Sequence, residues 1–160
     1  MSNESARQTL FTQRRALLAE KLHAVDRLSE HLRFSLGRNP YPLASVGVLD
    51  PVALESVSAL IERFGKLQDL LTGVFREIVV LSGEDGNDMN RVLARMEKLG
   101  ILDSVDFWRA MRLLRNLGAH EYDIDDVGKT GFINALAADA PALLTIAAHA
   151  GQYARTNLLA

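Results

Sequence analysis

Almost every apolar run in this 160-residue chain repeats with a period near 3.6, and none alternates convincingly with period two. That pattern commits the chain to helices. From Leu10 to Leu36 the residues Leu18, Leu22, Val25, Leu32 and Leu36 mark one stripe, with Arg and Glu on the other faces. The segment Gly37 to Pro42 ends this helix, because two prolines and a glycine cannot continue it. An irregular connection then runs to Asp50, where Asp50-Pro51 restarts a helix with a capping side chain and a proline at the first position.

The second helix is carried by Val57, Leu60, Ile61, Phe64, Leu67, Leu71, Val74, Phe75 and Ile78. Gly65 and Gly73 interrupt it, each at about 1 kcal/mol relative to alanine. Ser82 to Asp88 is a loop by composition, and a short helix follows from about Asp88 to Leu99, with Gly100 at its stop position. Asp103 or Ser104 caps a fourth helix with Phe107, Met111 and Leu114 on one face. Asp125 or Asp126 precedes a fifth, which runs to about Asn157. Pro141 lies inside it and predicts a kink or a break just before that residue. Val46 to Leu49 is too short and glycine-broken to count as a strand.

Four long amphipathic helices bury their stripes most simply as an up-and-down four-helix bundle, here with an extra short helix. The expectation is one all-α domain over residues 1–160. At 48% hydrophobic residues the chain has material for a sizeable core. The absence of cysteine removes disulfides, thiolate zinc sites, iron–sulfur clusters and cysteine nucleophiles. Eighteen basic against twenty acidic residues give a net charge of −2, which excludes a generally basic coat but not a local basic stripe. No uninterrupted apolar run approaches the roughly 18 residues of a membrane span, and no leader is evident, so the expectation is a cytoplasmic protein without a membrane partner.

Phosphate-cradling glycine loops, His-Glu-x-x-His zinc helices and serine-nucleophile elbows are all missing, and neither metal nor cofactor is expected. His23, His31 and His149 have the settings of solvated helix-surface residues. The acidic groups Glu84-Asp85 and Asp123, Asp125 and Asp126 stand beside helix starts, where carboxylates cap exposed amides. What remains is the fourth helix and its end. Arg109, Arg112 and Arg115 recur every third residue, and Arg91 and Arg95 on the preceding short helix extend the stripe. Arginine presents planar, permanently charged donors suited to phosphate. His120 lies near Arg115, Asn116 and Tyr122 in the sequence, and histidine is the commonest general acid or base. An imidazole beside a guanidinium is sufficient to drive attack of an RNA 2′-hydroxyl on its own phosphodiester without a metal.

The stretch Arg115-Asn116-Leu117-Gly118-Ala119-His120-Glu121-Tyr122 resembles the Arg-polar-x3-His motif of HEPN domains, in the Arg-x4-His-x-Tyr form of HepT-like proteins. These are helical-bundle ribonuclease toxins whose near relatives have been called nucleotidyltransferase substrate-binding subunits. The resemblance implies catalytic roles for Arg115 and His120, with Asn116 orienting them. It implies that Tyr122 is the tyrosine to which a partner minimal nucleotidyltransferase, the antitoxin, attaches AMP. It also implies a homodimer with two motifs at one composite cleft. Residues five apart on an ideal helix point about 140° away from each other, so Arg115 and His120 converge only if the helix loosens near Gly118 or two copies meet. The negative net charge favours an RNA of defined shape, such as transfer RNA, over bulk RNA. Two other readings stand beside the toxin: a non-catalytic bundle that docks a nucleotidyltransferase, and a purely structural dimeric bundle whose arginines pair with the acids after Tyr122.

Overall fold

A computed structural model describes residues 2–120 and 125–160, without the side chains of residues 119 and 120. Among the described residues five α-helices follow one another: α1 (Asn3–Leu36), α2 (Pro51–Leu81), α3 (Met89–Lys98), α4 (Val105–His120) and α5 (Asp126–Asn157). No strand occurs among the described residues, and Val46–Val48 forms a single 3-10 turn. The protein is an all-α helical bundle.

Local chemistry sets most of the helix boundaries. Asp50 caps α2 through Ala53 N at 2.8 Å, with Pro51 following it. Asp88 caps α3, and Gly100 closes that region with φ +73°. Of the alternatives at the later starts, Ser104 accepts from Phe107 N and Asp125 from Gly128 N. Each such cap is worth about 1 kcal/mol. The first helix begins at Asn3 rather than Leu10, because Ser2 accepts from Ser5 N and starts a polar, exposed turn that carries no apolar stripe. Pro141 does not break α5, which runs unbroken past it. Ala137, Ala140, Leu143 and Leu144 are buried on both sides of the proline and hold the helix against its missing hydrogen bond.

The long helices pack antiparallel in sequence order. Arg14 of α1 meets Glu77 near the end of α2, while Arg63 of α2 donates to Ser35 Oγ and the His31 carbonyl at the other end of α1. Arg112 and Arg115 of α4 reach back to Asp69 of α2, and Arg155 of α5 reaches Asp26 of α1. The expected stripe of α2 is buried throughout except for half-exposed Ile61. On α4, however, the buried residues are Trp108 and Met111, with Leu114 half-buried, and Phe107 faces outward. Trp108 wins that place by packing its ring 5.0 Å from Phe75, centroid to centroid.

Glu77 is a nearly buried carboxylate answered by Arg14 at 2.9 Å and Lys21 at 3.5 Å. Gly73 leaves the space that Lys21 occupies: a Cβ there would lie 3.3 Å from its Nζ. The irregular connection before α2 is fixed to α5. Asn134 accepts from Leu43 N and donates to the Leu43 carbonyl, and Thr130 Oγ1 accepts from Val46 N. Beneath it Leu43, Val46, Val57 and Ile133 form a small second core. By length and composition alone α5 is apolar enough to cross a membrane. Its Leu136, Ala140, Leu143, Ala147, Ala150 and Ala154 are instead part of the bundle core.

Candidate functional site

The three arginines of α4 sit three residues apart, so they climb one flank of the helix beside its buried face. Arg115 packs against α2. A Cβ at Gly65 would stand 3.0 Å from Arg115 Nε, tighter than ordinary van der Waals contact, so a larger residue there would make the arginine side chain give way. One turn further along α2, Asp69 receives both neighbours. Arg115 Nη2 donates to its Oδ2 at 2.9 Å and Arg112 Nη1 to its Oδ1 at 2.8 Å. Arg115 Nη1 also reaches Asn116 Oδ1 at 3.4 Å.

Two guanidinium groups against one carboxylate leave the cluster with a net positive charge. Both arginines keep 31% of their side-chain surface exposed and reach Asp69 with one terminal nitrogen each. A guanidinium carries five N–H donors, so each retains donors for an incoming anion. The arrangement can therefore grip a phosphate while its geometry is fixed from behind.

Arg109 stands further up the flank, bonded to Asn90 of α3 at 2.8 Å and 3.9 Å from Asp106. The remaining arginines of the expected stripe serve their own surroundings. Arg91 pairs with Asp88 at 3.6 Å, and Arg95 Nε lies 3.0 Å from Glu84, close enough for an ion pair but without hydrogen-bond alignment. Neither joins the Asp69 cluster. His23, His31 and His149 are exposed. Among the described residues no group of three His, Asp or Glu is placed to hold a metal ion.

The backbone of His120 closes the last turn of α4, while its side chain and the whole of Tyr122 lie outside the described residues. The helix passes through Gly118 without interruption. Positions 115 and 120 therefore stand about 140° apart around one regular helix. Gly118 serves packing instead: a Cβ there would fall 1.9 Å from Phe132 Cζ of α5. Beside that contact, Val57, Ile61, Phe132 and Ile133 line an open apolar cleft of about 400 Å3, with Lys129 and Glu62 at its walls.

Gly65 and Asp69 are absent from the sequence reading of the site. The one signal was energetic, since a glycine inside a long helix marks a close approach. Which side chain approaches depends on the pairing of α2 with α4, which no local pattern encodes. No family model, no curated protein and no solved structure matches the chain.

Proposed function

We propose that this chain is a HEPN-domain protein of the HepT-like kind, a metal-independent endoribonuclease that acts as the toxin of a toxin–antitoxin pair. The observation that carries the reading is the Arg112–Asp69–Arg115 cluster, a positively charged and partly open donor set whose arginines lie on α4, the helix that carries Arg115 and Asn116 of the motif. Arg115 and Arg112 hold the scissile phosphate and stabilise the charge that builds on it. His120 takes the proton from the 2′-hydroxyl and returns one to the departing 5′-oxygen. The oxygen–phosphorus bond that forms closes a 2′,3′-cyclic phosphate, and the bond that breaks releases a 5′-hydroxyl end. DNA lacks the internal nucleophile and is not a substrate.

A homodimer completes the site in this reading. Two copies pair so that position 115 of one approaches position 120 of the other, a reading supported by an unbroken α4 that holds the two positions about 140° apart within one chain. The surface proposed for that contact is the exposed arc of Phe107, Leu113 and Leu117, which borders position 120, while Arg115 lies on the flank facing α2. A minimal nucleotidyltransferase silences the toxin by joining AMP to the Tyr122 hydroxyl, adding negative charge beside the arginines. RNA of defined shape, such as transfer RNA, is the substrate, and the cytoplasm is where enzyme, RNA and antitoxin meet. The test is cleavage of RNA in excess chelator. Cleavage lost in both His120→Ala and Arg115→Ala, with helical content and melting unchanged, supports the reading, and cleavage retained in either variant overturns it.

The second reading is a non-catalytic subunit that docks a nucleotidyltransferase. It is favoured by one feature, the Asp69 carboxylate already neutralising part of the charge of Arg112 and Arg115 through one terminal nitrogen of each. A chain that leaves RNA intact yet binds a minimal nucleotidyltransferase tightly decides for it.

A further inference from the structure

We infer that Gly65 and Asp69 of α2 are positioning residues for Arg115, forming a receptor on the neighbouring helix that sets its guanidinium before any phosphate arrives. The inference rests on the proposed ribonuclease reading for its consequence, though not for its geometry. Gly65 and Asp69 are four residues apart and so lie on one face of α2. The first removes the side chain that would push Arg115 Nε outward, since a Cβ there would approach it to 3.0 Å. The second takes Arg115 Nη2 at 2.9 Å and ties it to Arg112 through a shared carboxylate. A long arginine on an exposed helix flank loses several rotors when it binds an anion, and holding it in place beforehand removes that entropic cost from the reaction.

A purely structural role for these residues makes the opposite forecast. An exposed ion pair contributes little to folding, and a helix interior prefers alanine to glycine. Gly65→Ala should therefore melt at or above the temperature of the parent chain while displacing Arg115. Asp69→Asn keeps the shape, removes the charge that anchors both arginines, and takes a negative group away from the phosphate. Substrate affinity then holds or tightens while turnover falls.

The experiment measures kcat, KM, melting temperature and the Nε–H NMR signal of Arg115 in the full-length chain and its variants. For Asp69→Asn and Gly65→Ala the expected result is kcat lower by about ten- to hundredfold. KM should be unchanged or lower, melting preserved, and the Arg115 signal shifted or broadened. Asp69→Glu, which keeps the carboxylate, recovers part of the turnover lost in Asp69→Asn. Turnover equal to the parent, or a loss confined to KM and accompanied by lower melting, overturns the inference. The NMR signal separates this failure from that of the ribonuclease reading. If the parent chain and Arg115→Ala are equally inert on RNA, the ribonuclease reading falls, yet a displaced Arg115 signal still upholds positioning. A signal unmoved by Asp69→Asn and Gly65→Ala overturns positioning whatever the activity.

Discussion

Gly118 of α4 lies against the ring of Phe132 of α5 so closely that a single methyl group at 118 would stand 1.9 Å from Phe132 Cζ. The glycine is a packing requirement between two helices. Gly118→Ala must therefore move the ring or spread α4 from α5, and it should destabilise the protein by about 1–3 kcal/mol despite the better helix propensity of alanine. Chemical denaturation of Gly118→Ala, Phe132→Ala and the double variant checks this. The expected sign of the coupling is favourable, with the double variant less damaged than the sum of the two. Strict additivity would mean that the close approach carries no energy.

The contrast between Gly118 and Asp50 explains what could be read in the sequence. Caps such as Asp50, Asp88 and Asp125 satisfy amides two or three residues away, so residue type and spacing are enough to find them. The stripe of α2 is visible for the same reason, as a face repeats along its own helix. Gly65, Gly73 and Gly118 instead answer side chains from Arg115, Lys21 and Phe132, far along the chain. A single sequence shows the cost of such glycines without their cause. Phe107 and Trp108 illustrate a further limit. Neighbours differ by only about 100° around a helix, so a broad apolar arc does not say which of them faces inward. The packing of Trp108 on Phe75 decides it. At the candidate site, the arginine spacing on α4 was legible and the carboxylate that gathers two of those arginines was not.

Gln68 of α2 is fully buried, and neither of its amide atoms finds a hydrogen-bond partner among the described residues. A buried amide without partners costs its desolvation with no return. Gln68→Met, similar in length and apolar, should stabilise the protein by about 1 kcal/mol and raise its melting temperature by a few degrees. Thermal melts followed by far-ultraviolet circular dichroism are the check, and a fall in melting temperature would show that the amide is satisfied after all.

Burial raises the carboxyl of Asp139, on α5, above the ordinary aspartate range. The folded chain then holds that proton more tightly than the unfolded one. The contribution of Asp139 to stability is greatest in acid and is lost as pH rises through the interval between its unfolded and folded pKa values. At neutral pH the charged carboxylate opposes folding. Asp139→Asn should therefore melt higher than the parent at pH 7 and lose that advantage below about pH 3.5, where both side chains are neutral. An advantage that persists unchanged into acid would assign the effect to something other than the charge.

On α4, Phe107, Leu113 and Leu117 are respectively 39%, 60% and 47% exposed, and they fall on one outward arc together with Ala110. Isolated exposed leucines need no explanation, but three large apolar residues on one arc of a helix are the surface through which the proposed dimer would form. This arc borders the line of positions 109, 113, 116 and 120, so a two-fold contact along it would bring the ends of the two α4 helices towards a common groove. Leu117→Glu places a charge at the centre of that contact, where an unpaired buried carboxylate is strongly disfavoured. Because position 117 is exposed, the fold of each subunit should be retained. Sedimentation at micromolar concentration should show a dimer for the parent and a monomer for Leu117→Glu, with equal helical content. Loss of RNA cleavage together with the dimer would tie activity to a site shared between subunits. Full cleavage by a stable monomer would require Arg115 and His120 to act from one α4, against the 140° or so that separates their positions on a regular helix.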